Sequence, residues 1–338
     1  MKKITLFVAA VLVAGSVYCK PVQKEGYKLV NKIHLEGDDK WDYLYSDEMA
    51  GLLYVSHGNM VQVVDQVKGV EVGKIAGLNG VHGIAIDKAL NKGFITGGKD
   101  SSVTIFDTKS LKVITKIKVT GKGPDAILFD PFSKNVFAFN GKSNNATVIN
   151  AETNAIVATI PFTGNPEFPQ SDGKGKVYVN LEDKSSIAVI NTTTNMVESV
   201  WPVAPGEEPT GLALDNETHR LFSVCKNKLM IIVDAENGKV ITTLPTGSKT
   251  DGAAFDPTLK CAYSSNGEGT VTVVKEVNKD SFSVLENIVT QKGAKTITVN
   301  KLTHHIFLPT AEFEAPSGSE KPKLVPGSFV ILDIVPQQ

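Results

Sequence analysis

The stretch GLALDNETHRLFSVCKNKLMIIVD, residues 211–234, holds three short apolar segments separated by polar turns. Each segment has the length and residue pattern of a β-strand. The residues that follow, Glu236, Asn237, Gly238 and Lys239, are typical of a hairpin turn. The stretch therefore predicts consecutive antiparallel strands.

The same arrangement recurs along the chain about every 42 residues, a spacing typical of propeller blades or helical arrays. The first strand of each repeat ends at or beside a polar residue, here called the anchor: Asp47, Asp87, Asp130, Asp172, Asp215, Asp256 and Asn300. An aromatic residue follows each anchor in a second strand: Tyr54, Phe94, Phe137, Tyr178, Phe222, Tyr263 and Phe307. Amphipathic helical periodicity is absent, which excludes a helical array.

Four strands per repeat and seven repeats predict an all-β fold, a seven-bladed β-propeller of four-stranded antiparallel blades. The last repeat holds only three strands, and the N-terminal segment 27–35 has the pattern of the missing fourth. We expect this N-terminal strand to close the last blade of a single domain, residues 27–336, because pairing removes exposed strand edges. An insertion at 311–327 in the last blade would rise beside the channel mouth, and its length is typical either of a functional loop or of a disordered insertion.

The N-terminus has the pattern of a signal peptide. Lys2 and Lys3 precede an apolar run at 4–14 that ends in small residues. The run is shorter than the roughly 20 residues that a membrane-spanning helix needs. We predict a signal peptide at 1–19, cleaved after Ser16 or Cys19, and a periplasmic or secreted protein. Tyr18 stands where a lipoprotein signal has a small residue, which argues against lipid anchoring.

The composition and motifs argue against several functional classes. A formal net charge of −1 lacks the positive excess that nucleic-acid binding requires. Motifs of serine hydrolases, zinc peptidases, P-loop enzymes and Cys-x-x-Cys proteins are missing. A disulfide between Cys225 and Cys261 is not expected. We expect a monomer with no membrane span and no cofactor, and leave a divalent cation as an open alternative.

Candidate site residues come from two sets of loops that reach the same channel mouth. The residue five positions before each anchor gives a set called the ring: Asp42, His82, Asp125, Glu167, Thr210, Asp251 and Lys295. The loops after the second strands give the companion set: His57, Gly97, Asn140, Asn180, Lys226, Asn266 and Thr310. Convergent polar groups of this kind are typical of binding sites. The ligand-binding candidates are Asp42, His57, His82, Asp125, Asn140, Glu167, Asp251, Asn266 and Lys295.

If a metal ion binds, the candidate ligands are His57, His82, Asp42 and Asp125, since imidazole and carboxylate suit divalent cations. The alternative is that these side chains bond only water and loop backbone. Lys295 is expected to form an ion pair with a neighbouring carboxylate. No residue is assigned a catalytic role.

Segments such as 209–215 and 104–108 resemble the YVTN or 40-residue β-propeller repeat family, and the chain is most similar to its YncE-like extracytoplasmic bacterial members. The fourth blade, with Pro166 and Pro169, and the sixth, with Lys275, depart from the motif. The resemblance implies an exported module that binds a small molecule or a protein through the channel mouth. It leaves open metal-assisted hydrolysis, such as that of a lactone, or a lyase reaction, and also single-stranded DNA binding.

Overall fold

A computed structural model, which describes residues 26–314 and 322–337, shows seven four-stranded antiparallel sheets arranged as blades of a propeller. The predicted fold class is confirmed. The predicted signal peptide lies outside the described residues. Within those residues, no helix has the length and apolar character to cross a lipid bilayer.

The strands follow the repeat closely, and the first, β1 (Tyr27–His34), precedes the blades. Blades one to three comprise β2 (Trp41–Asp47), β3 (Leu52–His57), β4 (Met60–Asp65), β5 (Val70–Ile75), β6 (Val81–Asp87), β7 (Lys92–Gly97), β8 (Ser102–Asp107), β9 (Val113–Lys118), β10 (Pro124–Asp130), β11 (Asn135–Asn140), β12 (Asn145–Asn150) and β13 (Ile156–Pro161).

Blades four to seven comprise β14 (Pro166–Ser171), β15 (Lys176–Leu181), β16 (Ser186–Asn191), β17 (Met196–Pro202), β18 (Pro209–Asp215), β19 (Arg220–Cys225), β20 (Leu229–Asp234), β21 (Val240–Pro245), β22 (Thr250–Asp256), β23 (Cys261–Asn266), β24 (Thr270–Asn278), β25 (Ser281–Val289), β26 (Thr298–Val299), β27 (Ile306–Thr310) and β28 (Val330–Pro336). Short 3₁₀ helices lie at Gly141–Ser143 and Glu182–Lys184.

The last blade closes as predicted. Strand β1 pairs antiparallel with β28, so the sheet order is β1-β28-β27-β26. The innermost strand of this blade, β26, is only two residues long, whereas the innermost strands of the other six blades hold six or seven residues. Its neighbours β2 and β22 both contact it, which closes the circle of blades.

The hydrophobic core of the described residues consists of seven clusters, and each lies between two neighbouring blades. Strand alternation explains this arrangement, because successive side chains point to opposite faces of a sheet. In β19, Leu221 packs toward blade four and Phe222 toward blade six. Cys225 and Cys261 are buried and free, as expected for packing residues.

Candidate functional site

The ring residues owe their position to an irregularity that recurs at the start of the innermost strands. In β2, Trp41 pairs with His57 and Leu44 with Val55, so β2 holds one residue more than its partner. In β6 the same shift falls between Val81 and Ile84. A β-bulge of this kind bends the strand and re-aims a side chain. Comparable shifts occur at this point in β10, β14, β18 and β22.

Three ring residues from neighbouring blades meet at the mouth. His82 Nδ1 lies 2.6 Å from Asp42 Oδ2 and 3.5 Å from Asp125 Oδ1. One potential ligand atom from each residue lies within 4.8 Å of the other two. Asp125 Oδ1 has no hydrogen-bond partner among the described residues. Two carboxylates and one imidazole thus face a common point.

The backbone at Gly98 makes room for the imidazole. A Cβ atom built on Gly98 would lie 2.7 Å from His82 Nε2, which is closer than van der Waals contact allows. Any other residue at this position would force the imidazole to shift from its place beside Asp42 and Asp125. The hairpin turn of blade two therefore serves to position His82.

The carboxyl groups of the mouth repel one another. Burial raises the pKa of Asp125 to about 7, and the charge of Asp42 adds to the effect. Burial and the charge of Asp125 raise the pKa of Glu167 to about 9. Burial lowers the pKa of His82, but the hydrogen bond to Asp42 and the two carboxylates outweigh it, so the net shift is upward. The mouth therefore holds more acidic groups than can all be ionised at neutral pH.

One ring lysine offsets part of the negative charge of these acidic groups. Lys295 Nζ lies 2.6 Å from Asp251 Oδ2, the ion pair that the sequence led us to expect. Burial raises the pKa of Asp251, and Lys295 opposes that shift. The ring holds four carboxylates against Lys295 and His82, while Thr210 is buried and donates to backbone carbonyls.

The companion residues lie differently from the ring. His57 is buried, and its ring nitrogens form hydrogen bonds with Gln62 Oε1 and the Asp39 carbonyl. Phe329 packs against it in a tilted arrangement, with ring centroids 4.1 Å apart. It is not a member of the group formed by Asp42, His82 and Asp125.

Two of the three companion asparagines, Asn140 and Asn266, are buried and bond only within their own blades. Asn140 donates to Asn145 and Thr147, and Asn266 donates to Thr270 and Thr272. These contacts lie within a single blade. The structure therefore gives these amides a role in holding their own blades, and our prediction that they bind a ligand stays untested.

The described base of the 311–327 insertion lies beside the ring. Phe313 pairs with Leu324 in a β-bridge and packs against Trp41, the neighbour of Asp42, with ring centroids 6.1 Å apart. The backbone N–H of Gly327 donates to Asp38 Oδ1. Residues 315–321 of the predicted loop lie outside the described part of the chain.

Sequence comparison finds a likeness over part of the chain. "Uncharacterized protein YncE" of Salmonella typhimurium is 29% identical over 108 residues, which are 30% of this chain and 29% of that protein. Its Salmonella typhi counterpart is 28% identical over the same length. Over that segment the chain resembles YncE. No family model matches the chain, so membership of the YVTN repeat family stays a prediction.

Comparison with solved structures reaches across most of the chain. Kuenenia stuttgartiensis hydrazine synthase superposes with a TM-score of 0.69 at 16% identity, covering 81% of this chain and 94% of that one. U3-55K gives 0.76 at 9% identity over 89% and 97%. The WD40 repeats of RRP9 give 0.76 at 9% identity over 90% and 97%. At identities this low, these superpositions show a shared fold and nothing further.

Proposed function

We propose that this YncE-like propeller is a binding module whose channel mouth takes a cationic ligand, with a divalent cation held by Asp42, His82 and Asp125. The observation that carries the proposal is the convergence of these three side chains within 4.8 Å. The raised pKa values of Asp125 and Glu167 support it. A bound cation would relieve the repulsion between these carboxyl groups, and would replace the hydrogen bond between His82 and Asp42.

The donor set indicates which cation to test. Imidazole nitrogen and carboxylate oxygen suit Zn²⁺ and Mn²⁺, whereas Ca²⁺ prefers six to eight oxygen ligands. Titration calorimetry of the protein with Zn²⁺, Mn²⁺ and Ca²⁺ should show one saturable site with the first two ions. We expect His82→Ala to weaken binding about tenfold or more, as loss of one of three ligands implies.

The matched control is His219→Ala. His219 is half-exposed and pairs with Glu236 at an outer turn, away from the ring. This variant should bind the cation as the unaltered protein does. Equal affinity in His82→Ala, or an equal loss in both variants, would overturn the proposed site.

Metal-assisted hydrolysis is a second candidate, favoured by the number of ligands. Three protein ligands leave a coordination position for water, as in catalytic zinc sites. Incubation of the Zn²⁺-loaded protein with lactones tests it. Turnover that His82→Ala abolishes would establish the enzyme, whereas tight binding without turnover would leave the binding module.

The charge of the mouth argues against single-stranded DNA as its ligand. Phosphate groups require a positive groove with stacking aromatics, and the ring holds more carboxylates than cations. An oligonucleotide titration at low salt should therefore show no saturable binding that ring substitutions alter.

Export belongs to the proposal as well. Its support is the basic, apolar and small-residue pattern of residues 1–19. N-terminal sequencing of the protein from a bacterial host should give a chain beginning at Val17 or Lys20. A mature chain that retains Met1 would contradict export by this signal.

A further inference from the structure

The channel is divided by an aromatic contact just below the ring. Tyr43 of blade one and Phe168 of blade four have ring centroids 5.4 Å apart. These blades are not neighbours in a circle of seven, so the contact spans the channel. Tyr43 also packs against the cluster between blades three and four. Burial raises the pKa of Tyr43, and the nearby carboxylates of Asp125 and Asp42 add to the shift.

Beyond this contact lies a cavity of about 850 Å³, called here the apolar chamber. Its walls come from the innermost strands of all seven blades, and Tyr43 and Phe168 form its floor. None of the seven ring residues lines it. The wall carries half-buried apolar side chains, among them Leu128, Phe129 and Leu214. The chamber therefore offers a surface chemically unlike the ring.

The chamber opens toward the anchors, on the face opposite the ring. Its charged lining residues all lie at or beyond the ends of strands on that face: Glu48, Asp87, Lys88, Lys134, Glu152 and Lys301. They are three acids and three lysines, so their formal charges cancel. The turns of four consecutive blades around this opening carry exposed apolar residues: Leu302, Met49, Leu90 and Phe132.

We propose that the apolar chamber is a second binding site, and that it takes an uncharged apolar molecule built of aromatic or alicyclic rings. Its volume falls in the range of small-molecule sites, about 300–1,000 Å³. Burial of a ligand's apolar surface against aromatic and aliphatic walls is energetically favourable. An ionised group would lose its hydration beside such walls without a net opposite charge to replace it.

A neutral fluorescent probe, N-phenyl-1-naphthylamine, tests the proposal. We expect a saturable rise in fluorescence with one probe bound per chain. Thr298 lines the chamber, is half-buried and belongs to no hydrophobic cluster, so Thr298→Arg should introduce bulk and charge there while sparing the core. We expect this variant to weaken probe binding by about tenfold or more. Thr194→Arg, at an exposed outer turn, is the matched control and should bind as the unaltered protein does.

A second wall variant and a ring variant complete the experiment. If circular dichroism shows that Thr298→Arg is unfolded, Leu128→Gln takes its place. This variant puts an amide on the chamber wall, and we expect it to weaken probe binding by about tenfold or more. His82→Ala should leave probe binding unchanged, because no ring residue lines the chamber. Failure of the cation site would therefore leave this proposal standing. Probe binding that is unsaturable, or equal in wall variants and control, would overturn it.

Discussion

The channel mouth and the seam between blades five and six both hold carboxyl groups with raised pKa values, and they differ in access to solvent. At the mouth, Asp125 faces the open channel, and its side chain is 36% exposed. At the seam between blades five and six, Glu276 is only 2% exposed. Neither Glu276 carboxylate oxygen has a hydrogen-bond partner among the described residues. A cation can reach the first group directly, whereas the second is enclosed by protein.

The seam acid has a neutral counterpart elsewhere in the propeller. Glu276 lies in β24, directly after Lys275, and is beside Asp215, the anchor of blade five. The equivalent residue of blade one is Gln66, whose Oε1 accepts from the anchor Asn300 at 2.6 Å. The other charged or polar residues that line the same cleft are Glu217, Thr218, His219, Arg220, Asp234, Glu236, Lys260, Asn278 and Lys279. Lys260 forms ion pairs with Asp215 and Glu217, so it is not an ion-pair partner of Glu276.

This difference shows that a raised carboxyl pKa does not by itself identify a ligand site. At the seam, burial is the first cause, and Asp215 adds to it, so the pKa of Glu276 rises to about 7. At the mouth the same causes act on Asp125, but the group lies beside two further ligand atoms in an open channel. Geometry and access decide which group can bind a ligand.

The largest expected effect is that of Glu276→Gln on stability. The folded pKa of Glu276 lies above its ordinary value of 4.5, so the free energy of unfolding falls as pH rises from about 4.5 to about 7. An amide cannot ionise and can donate to Asp215, so this variant should escape the fall. At pH 8 we expect it to be more stable by about 3 kcal/mol, at 1.36 kcal/mol per pKa unit. Urea unfolding of both proteins at pH 5 and pH 8 measures the difference, and equal stability at pH 8 would refute the account.

The reciprocal change, Gln66→Glu, should reproduce the acidic seam in blade one. Gln66 Nε2 donates to Ser46 Oγ and to the Leu52 carbonyl, and a carboxylate would leave both without that donor. We expect a loss of about 2 kcal/mol at pH 8, the cost of a buried group left unpaired. The loss should shrink at pH 5, where the new carboxyl is protonated. A loss independent of pH would indicate a packing effect instead.

The smallest expected stability effect is that of Asp125→Asn at the mouth. Water in the channel screens this half-exposed carboxylate, so the gain in stability should stay below about 1 kcal/mol. Cation affinity should fall, and its rise with pH through about 7, where Asp125 loses its proton, should flatten. Glu276→Gln should leave cation affinity unchanged. If the two substitutions had the same effects on stability and binding, the distinction between mouth and seam would be lost.

The sequence alone determined the propeller and the position of the ring. Seven anchors at nearly constant spacing fix the number of blades, and the two-residue period of the strands fixes which side chains are buried. Asp42, His82 and Asp125 each lie five residues before an anchor. They reach the same end of the channel because their innermost strands β2, β6 and β10 have the same length. This regularity is local, so the chain carries it without help from the fold.

Only the tertiary structure decided what the repeat does not encode. The bulge that re-aims His82 depends on the register between two strands. The burial of His57 depends on Phe329, which lies far along the chain. The Tyr43–Phe168 contact that divides the channel joins blades that meet only when the circle closes. Such contacts are set by packing between distant segments, and the period of a sequence contains no record of them.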